Sequence, residues 1–138
     1  MVSFYLEFLS SLVGIPFESE VHLRSRGTSR TPDVLLRVPV AIPFGSSNAA
    51  EEESWKIINW IDSKALFGDV NTHQQSVVPQ AESYLHRFGP GLILYWFGHA
   101  PLAMLNDLAG ELVIAGWELP SKFMLPDGRV IIGKAANP

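Results

Sequence analysis

The amino-acid sequence predicts an α/β sandwich, in which helices flank a mixed β-sheet, and three observations lead to this prediction. Two apolar strand-like stretches enclose a helix-like segment, which implies a right-handed crossover and a parallel strand pair. An acidic loop joins the first of these stretches to an earlier strand, which implies an antiparallel pair. The 138 residues are 47% hydrophobic and 17% charged, a composition that supports one folded domain over residues 1–138 and excludes intrinsic disorder.

The N-terminal segment is predicted to be largely helical. Apolar residues recur at helical spacing over residues 2–13, and Gly14 ends that pattern. Ile15-Pro16-Phe17 is predicted to be extended, and Ser19 is suited to cap a brief helix over residues 20–25. These segments therefore offer helices that can cover a sheet.

Two strands are predicted on either side of a solvated loop. The first covers residues 34–38, and Pro39 restricts its continuation in the centre of a sheet because proline has no amide hydrogen. Residues 43–54 are rich in small polar residues and include Glu51-Glu52-Glu53, so they are predicted to form the loop. Alternate side chains of residues 55–66 would point to opposite faces of a strand, and both faces carry large apolar residues. This pattern predicts a central strand covered on both sides.

A helix and a buried strand are predicted after the central strand. Residues 67–75 read as a loop, and Pro79 suits the first turn of a helix that ends at Phe88. Residues 92–97 form a continuous apolar run between glycines, the pattern of a fully buried strand. The weaker signals that follow predict a helix over residues 101–108, a strand over residues 111–117 and a turn at Pro126-Asp127-Gly128 before a strand at residues 130–132.

Composition also limits the function classes. The chain has no cysteine, which excludes disulfides and thiolate zinc sites and favours a reducing intracellular compartment. No apolar run approaches the length of a membrane span, and Glu7 interrupts the start of the chain before a signal-peptide core could form. The formal net charge of −4 argues against a surface that is basic throughout, so nucleic-acid binding would need a local cluster of cations.

Charged residues occur on an apolar face of the predicted central strand. Asp62 and Lys64 are two residues apart and therefore share a face with Ile58, Trp60 and Leu66. An isolated charge in such a place is unfavourable. Either the strand ends at Ile61 and exposes both groups, or a polar cavity at the strand end holds a cation and an anionic substrate.

A second carboxylate bears on this choice. Asp33 precedes the earlier strand, and an antiparallel pairing of the two strands would bring its start beside Asp62 and Lys64. Two carboxylates that lie close together need a counter-ion. Mg²⁺ is commonly held by one or two carboxylates together with water and phosphate oxygens, so the set matches a Mg²⁺ or Mn²⁺ site.

The residues around this pair resemble a known superfamily. Pro32-Asp33 followed by Asp62-Ser63-Lys64 is similar to the PD-(D/E)XK nuclease signature, which implies a restriction-endonuclease-like mixed β-sheet flanked by helices. Longer matches resemble the TPD family within it, and they extend over about residues 12–98, whereas residues 99–138 carry no recognised motif. The matching stretches are Gly14-Ile15-Pro16-Phe17, Leu23-Arg24, Thr31-Pro32-Asp33, Trp60-Ile61-Asp62-Ser63-Lys64-Ala65, Phe67-Gly68-Asp69, Ser83-Tyr84 and Arg87-Phe88-Gly89-Pro90-Gly91-Leu92. The family's N-terminal helical region has no counterpart, so we expect the nuclease domain alone.

The resemblance implies roles for individual residues. Asp33 and Asp62 would bind a divalent metal, the carbonyl of Ser63 would add a ligand, and Lys64 would orient or deprotonate the attacking water. An acid of the first helix often completes the metal shell in the superfamily, and Glu7 stands in that place. A solvated carboxylate on a helix face is an equally good interpretation of Glu7, and Glu18 and Glu20 are alternatives for the third acid.

Three further groups of residues have two interpretations each. Gln80 and Tyr84 resemble a glutamine–tyrosine pair that some superfamily members place after the lysine strand, and they also suit a polar helix face. His73 falls in the predicted loop, where a histidine is more often exposed than catalytic. Four arginines near Asp33 could contact a phosphate backbone or pair with neighbouring acids; they are Arg24, Arg26, Arg30 and Arg37.

The function that follows is metal-dependent hydrolysis of phosphodiester bonds in DNA or RNA by a protein of the nucleus or cytoplasm. The family's association with codanin-1 implies a second possibility, a catalytically silent module with the nuclease fold that binds a codanin-1-like protein. The acidic stretch Glu51-Glu52-Glu53 is longer than the family resemblance leads us to expect, and it would hinder nucleic-acid binding if it faced the site.

Overall fold

The computed structural model describes residues 17–19, 31–44, 54–116 and 122–132. Within these residues, seven strands form one mixed sheet in the order β5-β4-β3-β2-β6-β7, and β1 also pairs with β2. The strands are β1 Phe17–Ser19, β2 Val34–Phe44, β3 Ser54–Lys64, β4 Gly91–Tyr95, β5 Leu112–Ala115, β6 Lys122–Met124 and β7 Val130–Ile132. The predicted α/β class with a mixed sheet is confirmed, and it is consistent with a restriction-endonuclease-like core.

The pairing of the central strands follows the prediction. β2 and β3 are antiparallel, whereas β3, β4 and β5 run parallel to one another. The segment between β3 and β4 supplies the helix of the crossover, because parallel neighbours cannot be joined by a tight turn. The predicted helix over residues 2–13, the helix over residues 20–25 and the acidic Glu51-Glu52-Glu53 lie outside the described residues.

The helical segment begins earlier than predicted. One α-helical turn, Val70–Thr72, continues through a π-helical turn, His73–Val77, into helix α1, Val78–Phe88. The prediction of a loop over residues 67–75 is therefore wrong from Val70 onward. Asp69 starts the run because its carboxylate accepts hydrogen bonds from the backbone N–H and the hydroxyl of Thr72. Pro79 falls at the start of α1, where the missing amide hydrogen is tolerated.

Two details of the central strand pair differ from the sequence prediction. β2 continues through Pro39 to Phe44, because the β2–β3 register shifts between Leu35 and Val40 and releases the proline from the ladder. Opposite this irregularity, the alternation of β3 also breaks. Ile58 packs in the same core cluster as Ile61 and not with Trp60, so its predicted place on the face of Asp62 and Lys64 is wrong.

The core forms two clusters on the two faces of the sheet. The cluster that includes α1 contains Trp60, Val77, Ala81, Tyr84, Ile93, Tyr95, Leu105, Leu112 and Ile114. The other cluster contains Val34, Leu36, Val40, Ile42, Ile58, Ile61, Leu92, Leu94, Val113, Phe123 and Leu125. Consecutive residues of β4 alternate between the two clusters and all five are buried, as expected for a strand in the middle of a parallel sheet.

The C-terminal part retains the predicted hairpin but not the predicted helix. Residues 101–108 hold only a 3₁₀ turn, Leu102–Met104, whereas β6 and β7 pair around the Pro126-Asp127-Gly128 turn. Among the described residues, no helix is both long enough and apolar enough to cross a membrane.

Candidate functional site

The candidate site lies where β2 begins and β3 ends. Val34 pairs with Ile61, so Asp33, directly before β2, is adjacent to Asp62 and Ser63 near the end of β3. β3 runs through Lys64, and the side chain of Asp62 is only 6% exposed. The interpretation in which the strand ends at Ile61 and exposes both charges is therefore wrong.

Hydrogen bonds in both directions join the two strand ends. The backbone N–H of Asp33 donates to Oδ1 of Asp62 at 3.0 Å. In the opposite direction, the backbone N–H and the hydroxyl of Ser63 both donate to Oδ2 of Asp33, at 2.8 and 2.7 Å. Since the N–H and C=O of one strand residue point to the same edge, the Ser63 carbonyl also points toward the Asp33 edge. Hydrogen bonds to ionised groups are among the stronger ones, so this arrangement holds the carboxylates in place.

Lys64 connects the acidic pair to α1. Its Nζ lies 2.9 Å from Oδ2 of Asp62 and donates to Oε1 of Gln80 at 2.5 Å. The lysine side chain is 22% exposed, which leaves part of its charge accessible to a ligand. Gln80, which the resemblance placed only after the strand that carries the lysine, thus contacts the lysine itself.

The electrostatic environment of Asp62 is unfavourable to its charge. Burial, and next the negative charge of Asp33, raise the pKa of the Asp62 carboxyl from 3.8 to about 6, against the opposing effect of the Lys64 ammonium. Oδ2 of Asp62 is buried, and its close partner in the described part of the chain is the Lys64 ammonium, 2.9 Å away. A carboxylate oxygen has about two lone-pair positions, so Oδ2 keeps a position for a further ligand beside the lysine.

The donor set fits a divalent cation that prefers oxygen ligands. Oδ2 of Asp62 contacts the Lys64 ammonium but no backbone donor of the described residues, and Oδ1 of Asp33 is the carboxylate oxygen that neither Ser63 donor contacts. Within the described residues no cluster of three or more His, Cys, Asp or Glu side chains is present. Mg²⁺ is usually held by one or two carboxylates and retains several waters, so two carboxylates with a nearby carbonyl meet its needs.

Tyr84 supports the segment that carries Asp33. Its hydroxyl donates to the backbone carbonyl of Thr31 at 2.9 Å, two residues before Asp33. The ring packs edge-to-face against Trp60, with centroids 5.1 Å apart, and the Trp60 indole N–H donates to the carbonyl of Gly89. The site is thus built on packed side chains of α1 and β3 and not on a loop alone.

Several predicted site residues lie outside the described part of the chain. Glu7, Glu20, Arg24, Arg26 and Arg30 are outside the described residues, and for Glu18 the structure describes only the backbone, in β1. Arg37 is exposed on β2, four residues after Asp33. Their proposed roles stay predictions.

His73 is not an exposed loop residue, contrary to the sequence prediction. It is fully buried, with Nδ1 2.6 Å from the hydroxyl of Tyr95 and Nε2 2.7 Å from the backbone carbonyl of Asn106. Burial and the charge of Asp69 raise the pKa of Tyr95 well above its usual range, so the phenol stays protonated. The helical spacing of His73, Val77, Ala81 and Tyr84 is the sequence signal that could have placed this histidine on the buried face.

Comparisons with known proteins agree with the site. The family model described as "Protein of unknown function TPD sequence-motif" matches residues 3–115. Relatives named CDAN1-interacting nuclease 1 include that of Gallus gallus, 45% identical over 80 residues that make up 58% of this chain and 25% of the relative. That of Mus musculus is 43% identical over 103 residues, 75% of this chain and 33% of the relative, and that of Homo sapiens is 43% identical over 84 residues, 61% and 26%.

The chain spans about a quarter to a third of the length of these relatives. No solved structure matches it. The family model nevertheless extends from the N-terminal segment to the end of β5 and so includes Asp33, Asp62 and Lys64. Because that match covers most of the chain, this protein belongs to the TPD sequence-motif family.

Proposed function

We propose that this protein is a divalent-metal-dependent nuclease that hydrolyses phosphodiester bonds of DNA or RNA. The observation that carries the proposal is a buried carboxylate oxygen, Oδ2 of Asp62, which lies 2.9 Å from the Lys64 ammonium in a carboxyl whose pKa the charge of Asp33 helps to raise. Paired carboxylates with an adjacent cation suit phosphodiester hydrolysis, which needs a bound metal ion and positive charge near the phosphate. The printed names of the relatives, CDAN1-interacting nuclease 1, support the same activity.

Each residue has a defined part in this proposal. Asp33, Asp62 and the Ser63 carbonyl would hold Mg²⁺ or Mn²⁺, and Glu7 is the candidate for a further acid. When bound, the ion supplies Lewis-acid polarisation of a phosphoryl oxygen and a lowered pKa for a coordinated water. Lys64, held by Asp62 and Gln80, directs an ammonium toward the position where negative charge develops on the phosphate. Gln80 limits the orientations available to that lysine.

The test combines metal binding with hydrolysis. The purified chain is titrated with Mg²⁺ and Mn²⁺ by calorimetry and incubated with single-stranded DNA, double-stranded DNA and RNA. We expect cleavage of at least one substrate that stops in EDTA, and we expect Asp62→Asn to lose both metal binding and cleavage. Asp127→Asn is the matched control, because Asp127 is an exposed carboxylate in the β6–β7 turn. Metal binding without cleavage of any substrate would overturn the nuclease proposal.

An apolar edge of the protein favours a second candidate function, the binding of a protein partner. Among the described residues, five of the eight exposed large hydrophobic side chains lie on two segments and on the 3₁₀ turn that follows the second one. A Gly68–His99 bridge joins the two segments. The five side chains are Phe67, Val70, Phe97, Leu102 and Met104. Exposed apolar side chains on connected segments are typical of protein–protein interfaces, and the name of the relatives includes an interaction with CDAN1.

This candidate is tested by binding of purified CDAN1 protein to the chain. We expect Phe97→Asp and Met104→Asp to abolish binding while metal affinity stays unchanged. Ile132→Asp is the control, because Ile132 is an exposed apolar residue of β7, 77% accessible, outside these segments. Equal binding by all three variants would exclude the apolar edge as the interface.

A further inference from the structure

The Ser63 side chain occupies one specific oxygen of the candidate metal site. Its hydroxyl and its backbone N–H both donate to Oδ2 of Asp33. A carboxylate oxygen has about two lone-pair positions, so these two donors saturate Oδ2. Only the other oxygen of Asp33 keeps both lone pairs clear of Ser63.

Asp62 is restricted in a similar way. Its Oδ1 accepts the backbone N–H of Asp33, while Oδ2 has the Lys64 ammonium 2.9 Å away. In each carboxylate a backbone N–H therefore engages one oxygen, and the other oxygen is the one available to a cation. This pattern disfavours bidentate coordination by either aspartate.

We propose that the Ser63 hydroxyl is a positioning residue that keeps Asp33 monodentate and so gives the site its preference for Mg²⁺ and Mn²⁺ over Ca²⁺. Ca²⁺ takes six to eight oxygen ligands and often uses a bidentate carboxylate, whereas Mg²⁺ requires near-octahedral geometry and retains water. The inference rests on the metal site of the proposed function and adds a determinant of metal choice. It concerns the hydroxyl, which is distinct from the carbonyl expected to act as a ligand.

The hydroxyl can be removed without removing the other contacts of Ser63. The backbone N–H still donates to Asp33 in an alanine variant, and the pairing of Ser63 with Leu94 in the β3–β4 ladder uses only the main chain. Ser63→Ala therefore frees one lone pair of Oδ2 and leaves the strand intact. Ser63→Thr keeps the hydroxyl, and Ser76→Ala, at an exposed serine of the π-helical turn, is the matched control.

The experiment is calorimetric titration of the wild-type chain and these variants with Mg²⁺, Mn²⁺ and Ca²⁺, without nucleic acid. Loss of a hydrogen bond to a metal ligand typically weakens metal affinity 10- to 100-fold. We expect Ser63→Ala to weaken Mg²⁺ and Mn²⁺ binding by about tenfold while Ca²⁺ affinity holds or rises. Ser63→Thr and Ser76→Ala are expected to keep the wild-type ratio of Mg²⁺ to Ca²⁺ affinity.

The ratio of Mg²⁺ to Ca²⁺ affinity distinguishes a positioning role of the Ser63 hydroxyl from a structural one. A merely structural role of Ser63 would weaken all three ions equally, and an unchanged ratio in Ser63→Ala would overturn the inference. If Ser63→Ala does not fold by circular dichroism, Ser63→Cys, which keeps only a weak donor, provides the same comparison. A wild-type chain that binds metal with the expected selectivity but cleaves nothing would overturn the nuclease proposal and leave this inference standing, whereas a wild-type chain without metal binding would overturn both.

Discussion

The pH dependence of stability should reveal the buried charge of Asp62. In the folded protein the pKa of this carboxyl is about 6, against an ordinary value of 3.8, so the folded state holds the proton more tightly than the unfolded state. Its stabilising contribution is therefore fully present below pH 3.8 and is lost as the pH rises through about 6. Asp62→Asn keeps an oxygen for the Asp33 N–H but cannot ionise, so it should not show this loss.

The magnitude follows from the size of the shift. One pKa unit corresponds to 1.36 kcal/mol, so a rise of about two units predicts a loss of about 2–3 kcal/mol between pH 4 and pH 7 in the metal-free protein. That is a large part of the stability of a typical domain. Bound Mg²⁺ should reverse the loss, because an ion that binds only the folded state stabilises it.

Urea unfolding in EDTA at several pH values is the assay, with the wild type and Asp62→Asn compared at each pH. The difference between them isolates Asp62 from the other titrating groups, and we expect it to move in favour of Asp62→Asn by about 2–3 kcal/mol from pH 4 to pH 7. Asp127→Asn should show no such loss, because hydrogen bonds from Arg129 hold the pKa of Asp127 below its ordinary value and keep this carboxylate ionised over the whole range. If the difference in the free energy of unfolding between wild type and Asp62→Asn stays constant with pH, the argument that burial disfavours the charged form of Asp62 is refuted.

Four further outcomes are expected. Lys64→Ala should abolish hydrolysis but retain metal binding, and unfolding of the variant together with unchanged activity per folded molecule would make the lysine structural. Gly91→Ala should destabilise the fold by about 1–3 kcal/mol or more, because the added Cβ would lie 2.0 Å from the indole ring of Trp60. Gly116→Ala is the control, because its Cβ would lie 3.8 Å from the nearest atoms, and we expect an unchanged melting temperature. Tyr84→Phe should lower the free energy of unfolding by about 1–3 kcal/mol and weaken Mg²⁺ binding, since it leaves a buried carbonyl unpaired, and equal metal affinity would separate the tyrosine from the site. Arg37→Ala should reduce the salt slope of nucleic-acid binding by about one, and an unchanged slope in affinity measurements would remove it from the interface.

The sequence alone determined the strand pairing that creates the site. Local periodicity identified β3 and β4, the helix between them required a parallel pair, and the loop before β3 implied an antiparallel partner. Because antiparallel pairing relates residues by position alone, the adjacency of Asp33 and Asp62 followed from the same reasoning. The pairing of Val34 with Ile61 confirms that these strand ends meet as predicted.

Tertiary structure decided which groups are buried and which atoms they contact. His73 is buried because Tyr95 and Asn106, 22 and 33 residues away, supply partners for both ring nitrogens, and no local pattern contains such partners. Ile58 lies on the face opposite to the predicted one because the β2–β3 register shifts beside it. A prediction from periodicity assumes a regular ladder. Which oxygen of Asp33 accepts the Ser63 hydroxyl likewise depends on the distance between atoms of two residues that are 30 positions apart in the chain. That distance is set when the strands pack, and the spacing of residue types along the chain does not determine it.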